Sequence, residues 1–183
     1  VSNRMIGALI MVHGDDNGLI LPPKIAPRQV VIVGIGKNDE VVDTAVNKCY
    51  KALKEAGISV YVDSTERSPG FKFAEAEVNG YPIRIELGFR DLENNEVTVV
   101  RRDTSEKMTV KLNDVVNVVM QQLEKMQNDM FERALKNKND RTYTVTSLEE
   151  VEKIMNEKPG FVNAHWCGSE ECELKMKEIK GTK

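Results

Sequence analysis

Gln29-Val30-Val31-Ile32-Val33-Gly34 decides how the chain is read, because four consecutive β-branched apolar residues before a glycine describe a short strand buried on both faces. A helix should follow it. Val42, Val46, Cys49 and Leu53 recur at three- and four-residue steps, Asn38 or Asp39 stands where an N-cap belongs, and Gly57 closes the run. Ile58-Ser59-Val60-Tyr61-Val62 then reads as a second strand. Residues 29–62 are therefore a βαβ unit, with parallel strands and a right-handed crossover expected.

Downstream, the Ser68-Pro69-Gly70 turn leads into a short helix over residues 71–78 that ends at Asn79-Gly80. Pro82 to Leu87 alternates Ile83, Ile85 and Leu87 with Arg84 and Glu86, and Glu96 to Arg101 mixes Val97, Val99 and Val100 with polar residues. Both read as strands, joined by a polar loop from Asp91 to Asn95. Alternation turns Arg84 away from the core, toward open surface. A long amphipathic helix carries Val115, Val119, Leu123, Met126, Met130 and Ala134 on one stripe. Strands alternating with helices give an α/β layered domain over residues 28–138.

The flanks differ in character. Residues 139–146 are polar and read as a linker, after which Ser147 and Glu150 form a capping-box pattern opening another helix. Upstream, Leu21 to Pro27 carries three prolines and reads as an extended connector, so residues 1–20 belong to something that came before. Met5 to Val12 is a short helix, broken by the turn residues His13 to Gly18. The first residue is Val1, and the opening lacks the zones of a signal peptide, so truncation or further upstream residues are expected.

Composition bounds the function. At 183 residues, 40% hydrophobic and 30% charged, the chain holds one sizeable domain plus smaller appendages, and no apolar run approaches a membrane span. Three cysteines are too few and too uneven for a disulfide framework, which argues for a reducing, cytoplasmic compartment. Twenty-six basic against 29 acidic residues leave a net charge of −3, and residues 81–111 are locally neutral. Any RNA contact must come from placed side chains and not from a basic field.

Each motif has a bland reading beside the functional one. Gly34-Ile35-Gly36 follows a strand and precedes a helix, but a dinucleotide fingerprint needs Gly or Ala where Asp39 stands, and a carboxylate there opposes a pyrophosphate. A flexible strand-to-helix turn is the better reading. Cys167 and Cys172 could form half of a zinc site with His165 nearby, yet tetrahedral structural zinc needs four ligands, so ordinary free thiols are expected. Cys49 lies on the apolar face of its helix and reads as core. His13 and His165 are the only histidines, and nothing places a nucleophile beside either, so a hydrolase triad is not expected.

Several motifs in order carry a family likeness. The run Val1-Ser2-Asn3-Arg4-Met5-Ile6-Gly7-Ala8 through His13-Gly14-Asp15-Asp16-Asn17-Gly18 to Pro22-Pro23 resembles the third signature motif of class II prolyl-tRNA synthetases and its connector. The resemblance continues through Ser68-Pro69-Gly70-Phe71-Lys72-Phe73, Gly80 to Gly88, Arg90-Asp91 and Val100-Arg101-Arg102-Asp103-Thr104. Cys167-Gly168 and Cys172-Glu173 match the start of the extension found in the archaeal-like and eukaryotic-like form. Two positions depart: Ala76 stands where a tryptophan is common, and Phe89 where a proline is usual.

The resemblance implies a class II anticodon-binding fold, α/β with a mixed β-sheet flanked by helices, plus a small C-terminal α+β extension. Residues 1–27 would end a catalytic domain, 28–138 would bind the anticodon, and 139–183 would be part of the extension. Arg4 would bind the ATP triphosphate, for which a planar, permanently charged guanidinium is suited. Ser2 would lie near the proline and adenosine pocket. Glu77, Arg84, Arg90 and Asp91 would contact the two guanines shared by proline anticodons, since arginine can fork onto O6 and N7 and a carboxylate can accept from the Watson-Crick edge. The complete enzyme would use proline, ATP, magnesium and tRNA(Pro), and be a homodimer. Zinc, through Cys167 and Cys172, would belong to a complete extension. With one of three signature motifs, this chain should hold no complete active site. Two other readings stay open: a free-standing RNA-binding accessory module of the same fold, and a dimerising structural domain.

Overall fold

The computed structural model describes residues 2–36 and 39–182. They divide into two compact units, residues 1–129 and 130–183. The first begins with helix α1 (Asn3–His13), which passes into a hairpin of β1 (Gly14–Asp15) and β2 (Gly18–Leu19). No residue of α1 is buried, and Met5, Ile6, Ile10, Met11 and Val12 are exposed.

Strand β3 (Val30–Ile35), helix α2 (Glu40–Glu55) and strand β4 (Val60–Asp63) build the expected βαβ unit. Of the two cap candidates, Asp39 accepts from the Val41 and Val42 amides at 3.0 and 3.3 Å, which satisfies two of the helix's orphan donors. Asn38 lies outside the described residues. Helix α3 (Pro69–Asn79) starts two residues earlier than the sequence suggests, because Ser68 caps it by accepting from the Phe71 amide and Pro69 presets the first turn. Strand β5 (Ile83–Gly88), helix α4 (Phe89–Glu93), strand β6 (Glu96–Arg101) and strand β7 (Lys107–Lys111) follow. The loop expected from Asp91 to Asn95 is thus mostly a helical turn, closed by Asn95 at φ +55°.

The five strands form one mixed sheet in the order β4-β3-β5-β6-β7, parallel across β4, β3 and β5 and antiparallel beyond. Helix α5 (Val115–Asp140) follows. One face of the sheet carries Val30, Ile32, Ile83, Ile85, Leu87, Val97 and Val99. Together with Val42, Val46, Cys49 and Leu53 of α2 and Val115, Val119 and Leu123 of α5, it makes the main core. Ala134, expected on the same stripe, is exposed. The other face is covered at its β3 end by α3, through Val31, Val33, Ala76, Phe73 and Tyr81.

In the second unit, β8 (Thr142–Val145) pairs in parallel with β9 (Phe161–Ala164), and α6 (Leu148–Glu157) connects them. Residues 139–146 are therefore not a linker; they finish α5 and supply a strand. Ser147 caps α6 as expected, but the Glu150 carboxylate reaches back to the Thr146 amide at 2.9 Å, one residue before the cap. Helix α7 (Glu170–Glu178) is the last helix among the described residues. No helix among the described residues is long and apolar enough to cross a membrane.

Candidate nucleic-acid interface

Alternation along β5 puts Ile83, Ile85 and Leu87 in the main core, so Arg84 and Glu86 share the opposite face. That face is not open water at Arg84. The Arg84 residue is only 7% exposed, which corrects the expectation of an open surface position. The reason is α3, whose Phe73 ring lies 4.5 Å from the guanidinium carbon and whose Phe73 carbonyl accepts from Nη1 at 3.4 Å.

Carboxylates complete the enclosure. Arg84 Nε donates to Glu86 Oε1 at 2.9 Å, and Nη1 donates to Glu77 Oε1 at 3.1 Å. The Glu86 side chain is 9% exposed and the Glu77 side chain 37%, so the pair has a dry inner member and a wet outer one. Lys107 of β7 adds a cation 3.8 Å from Glu86. The half-open Glu77 carboxylate is an acceptor whose orientation the buried guanidinium sets, which suits it to a base edge presented from solvent.

Arg90 and Asp91 lie elsewhere. From Arg84 to Gly88 is about 13 Å of strand, and α4 begins only after that. Arg90 is exposed and Asp91 half-buried on α4. The four candidates are thus two pairs, one at the α3 side of β5 and one beyond its C-terminal end. Ala76 is buried against Val31 and Val33, while Phe89 projects outward at 47% exposure.

Ser2 and Arg4 are exposed at the N-terminus of α1, and Ser2 makes no side-chain cap. The first turn of α1 holds no acidic residue, so Arg4 puts a cation where the helix dipole disfavours one. A local rule broken at an exposed arginine fits a ligand-binding role.

Two arginines that periodicity did not single out, Arg101 and Arg102, hold this region together. Arg102 forks onto Asp15 at 2.8 and 2.6 Å, and this guanidinium contact lowers the Asp15 pKa to about 2 against the opposing effect of desolvation. Arg101, 1% exposed, donates to both Asp103 oxygens and to Asp129 of α5. Glu86 alone was findable, because it shares Arg84's parity two residues on.

The second unit offers thiols but no metal cage. Cys167 and Cys172 are exposed, and the Cys172 thiol hydrogen-bonds to Cys167, which lowers the Cys167 pKa and raises that of Cys172. Among the described residues, no group of three or more His, Cys, Asp or Glu side chains could hold a metal ion. Two thiols do not fit a tetrahedral structural zinc. Cys49 is buried, and desolvation pushes its thiol up to about 12.

With this geometry in view, residues 29–122 match the family described as the anticodon binding domain. The chain belongs to the anticodon-binding domain family. It is 46% identical over 182 residues to a proline-tRNA ligase of Clostridium novyi, an alignment that takes 99% of this chain and 38% of that protein. It is 45% identical over 181 residues to proline-tRNA ligase 2 of Clostridioides difficile, again across 98% of this chain and 38% of the relative. The prolyl-tRNA synthetase of Cryptosporidium parvum, crystallised with L-proline and AMP, superposes with a TM-score of 0.89 at 36% identity, covering 96% of this chain and 38% of that one. The anticodon-binding domain thus sits in a chain that spans about 38% of the length of the relatives it matches. The mixed sheet flanked by helices agrees with the fold that the resemblance implied.

Proposed function

We propose that this chain reads the anticodon of tRNA(Pro) on behalf of a proline-tRNA ligase, an enzyme that activates proline with ATP and then transfers it to the tRNA. The observation that carries the reading is the anticodon-binding match at residues 29–122 inside an alignment with proline-tRNA ligases over 99% of the chain. On this reading residues 1–27 close the catalytic domain, 28–138 recognise the anticodon, and 139–183 begin an extension. Glu77 accepts from the Watson-Crick edge of one guanine, with Arg84 orienting it and offering its own outer donors. Arg90 and Asp91 contact the other guanine, the first through O6 and N7 and the second as acceptor.

Arg4 binds the triphosphate of ATP, whose magnesium and adenylate chemistry belong to the complete enzyme, and Ser2 borders the proline pocket. The exposed apolar residues of α1 are the surface on which more of the ligase body packs. The complete enzyme is a cytoplasmic homodimer.

Binding of this chain to proline anticodon stem-loops tests the reading directly. Replacing either guanine with adenine should cost about 1–3 kcal/mol, the usual value of a good base contact. Glu77→Gln should flatten discrimination at one guanine and Arg90→Ala at the other. Equal affinity for native and substituted loops would remove these residues from the recognition site.

A further inference from the structure

Arg102 joins two places that lie far apart in sequence. Its Nη1 and Nη2 donate to Asp15 Oδ2 and Oδ1 at 2.8 and 2.6 Å, and its Nε donates to the Glu77 backbone carbonyl at 3.2 Å. Glu77 is the residue whose carboxylate holds Arg84. Asp15 lies two residues after the end of α1, and its Oδ1 also accepts from the Asn17 and Gly18 amides at 2.9 and 3.0 Å. A single guanidinium, 5% exposed, therefore bridges the back of the Glu77–Arg84 pair and the turn that terminates α1.

The turn is stiff on both sides of that bridge. The Gly14 amide continues α1 by donating to Ile10, and the Ile20 amide closes the hairpin onto the His13 carbonyl at 2.8 Å. A Cβ at Gly18 would overlap the Val78 backbone, so hairpin and α3 touch main chain to main chain. Leu21 donates to the Gly80 carbonyl at 3.3 Å. These contacts already attach the hairpin. The fork adds something attachment does not require: a planar two-point contact that fixes angle as well as distance. From the turn, α1 reaches back about 14 Å from His13 to Arg4.

We infer that Arg102 is a positioning residue that couples the Glu77–Arg84 anticodon pair to α1, so that engagement of a cognate anticodon sets the placement of Arg4 in the aminoacylation reaction. This rests on the function proposed above. A base that draws on Glu77 pulls at the C-terminal turn of α3, Arg102 follows the Glu77 carbonyl, and Asp15 carries the displacement into α1. Packed elements of this kind pass on small shifts because they deform little.

The test uses the complete ligase containing this chain, with Arg102→Lys, Asp15→Asn and the double variant. Lysine keeps the charge and loses the fork. Four readouts are taken: anticodon stem-loop affinity, proline-dependent pyrophosphate exchange without tRNA, kcat and KM for charging tRNA(Pro), and the urea unfolding midpoint. Each single variant should keep loop affinity and pyrophosphate exchange within about twofold while charging kcat falls about tenfold, a usual size for coupling between sites. The double variant should be no worse than the poorer single one, since both break one contact. Unchanged charging kcat, or pyrophosphate exchange falling in step with charging, would overturn the coupling. Should Arg102→Lys fail to fold, Asp15→Asn decides by the same criteria, because Asp15 is 37% exposed and asparagine keeps an acceptor for the turn. Wild-type protein that ignores the guanines would sink the anticodon reading itself; wild type that discriminates, with variants that charge normally, sinks only the coupling.

Discussion

Parity along β5 sends Arg84 to the face opposite Ile83 and Ile85, as alternation demands, and there α3 roofs it. Its removal is consequently a core event. Arg84→Ala would leave Glu86 buried beside only the more distant, exposed Lys107, and an uncompensated buried charge costs roughly 3 kcal/mol or more. Replacing both members, Arg84→Met with Glu86→Leu, should recover most of that loss, because hydrophobic substitutes for a buried pair are often near neutral. Urea unfolding of the wild type, the single and the double variant checks both statements; an Arg84→Ala midpoint equal to wild type would mean the site is wetter than its burial indicates. For tRNA work, Glu77→Gln is the cleaner probe, since its side chain stands half in solvent.

At the scale of elements, the join between the β1–β2 hairpin and the end of α3 depends on Gly80. It adopts φ +71°, and a Cβ there would stand 2.6 Å from the Leu19 Cβ and 2.8 Å from the Leu19 carbonyl oxygen. Gly57, at φ +80° after α2, has nothing within 4 Å of such a Cβ. The pair separates strain from collision. Gly57→Ala should cost about 1 kcal/mol from left-handed backbone alone, whereas Gly80→Ala should cost roughly 2 kcal/mol more from overpacking. Thermal melting of the two variants measures the difference, and equal losses would show that the hairpin yields freely. Both glycines are legible as helix stops, but only at Gly80 does a distant segment occupy the space. Strand β7 was legible in principle, since Met108 and Val110 alternate with Lys107, Thr109 and Lys111, yet three charged or polar positions in five masked it. The turn of α4 was hidden by the asparagines and acids that usually mark loops.

Across the whole molecule, a net charge of −3 means that the tRNA affinity proposed above would rest on a few placed groups. If about three phosphates are neutralised, the slope of log affinity against log salt should be near −2, as single-stranded binding gives about −0.7 per phosphate. Titration of the proline anticodon stem-loop at several salt concentrations reads that slope; a value several units steeper would reveal a basic surface that the composition does not suggest. What the sequence by itself determined is the repetitive part of the structure: the βαβ unit, a cap for α2 at Asn38 or Asp39 and for α6 at Ser147, the stripe of α5 as far as Met130, and, through motif order, the family. These follow from interactions between residues a few positions apart, where period and capping chemistry are enough. Tertiary structure alone decided which polar residues meet. Glu77 and Arg84 join across a helix and a strand, and Arg102 finds Asp15 at a separation of 87 residues. Burial of Arg84 likewise depends on where α3 lies, because a strand's alternation names the face of a residue and only its neighbours in space decide whether that face meets water.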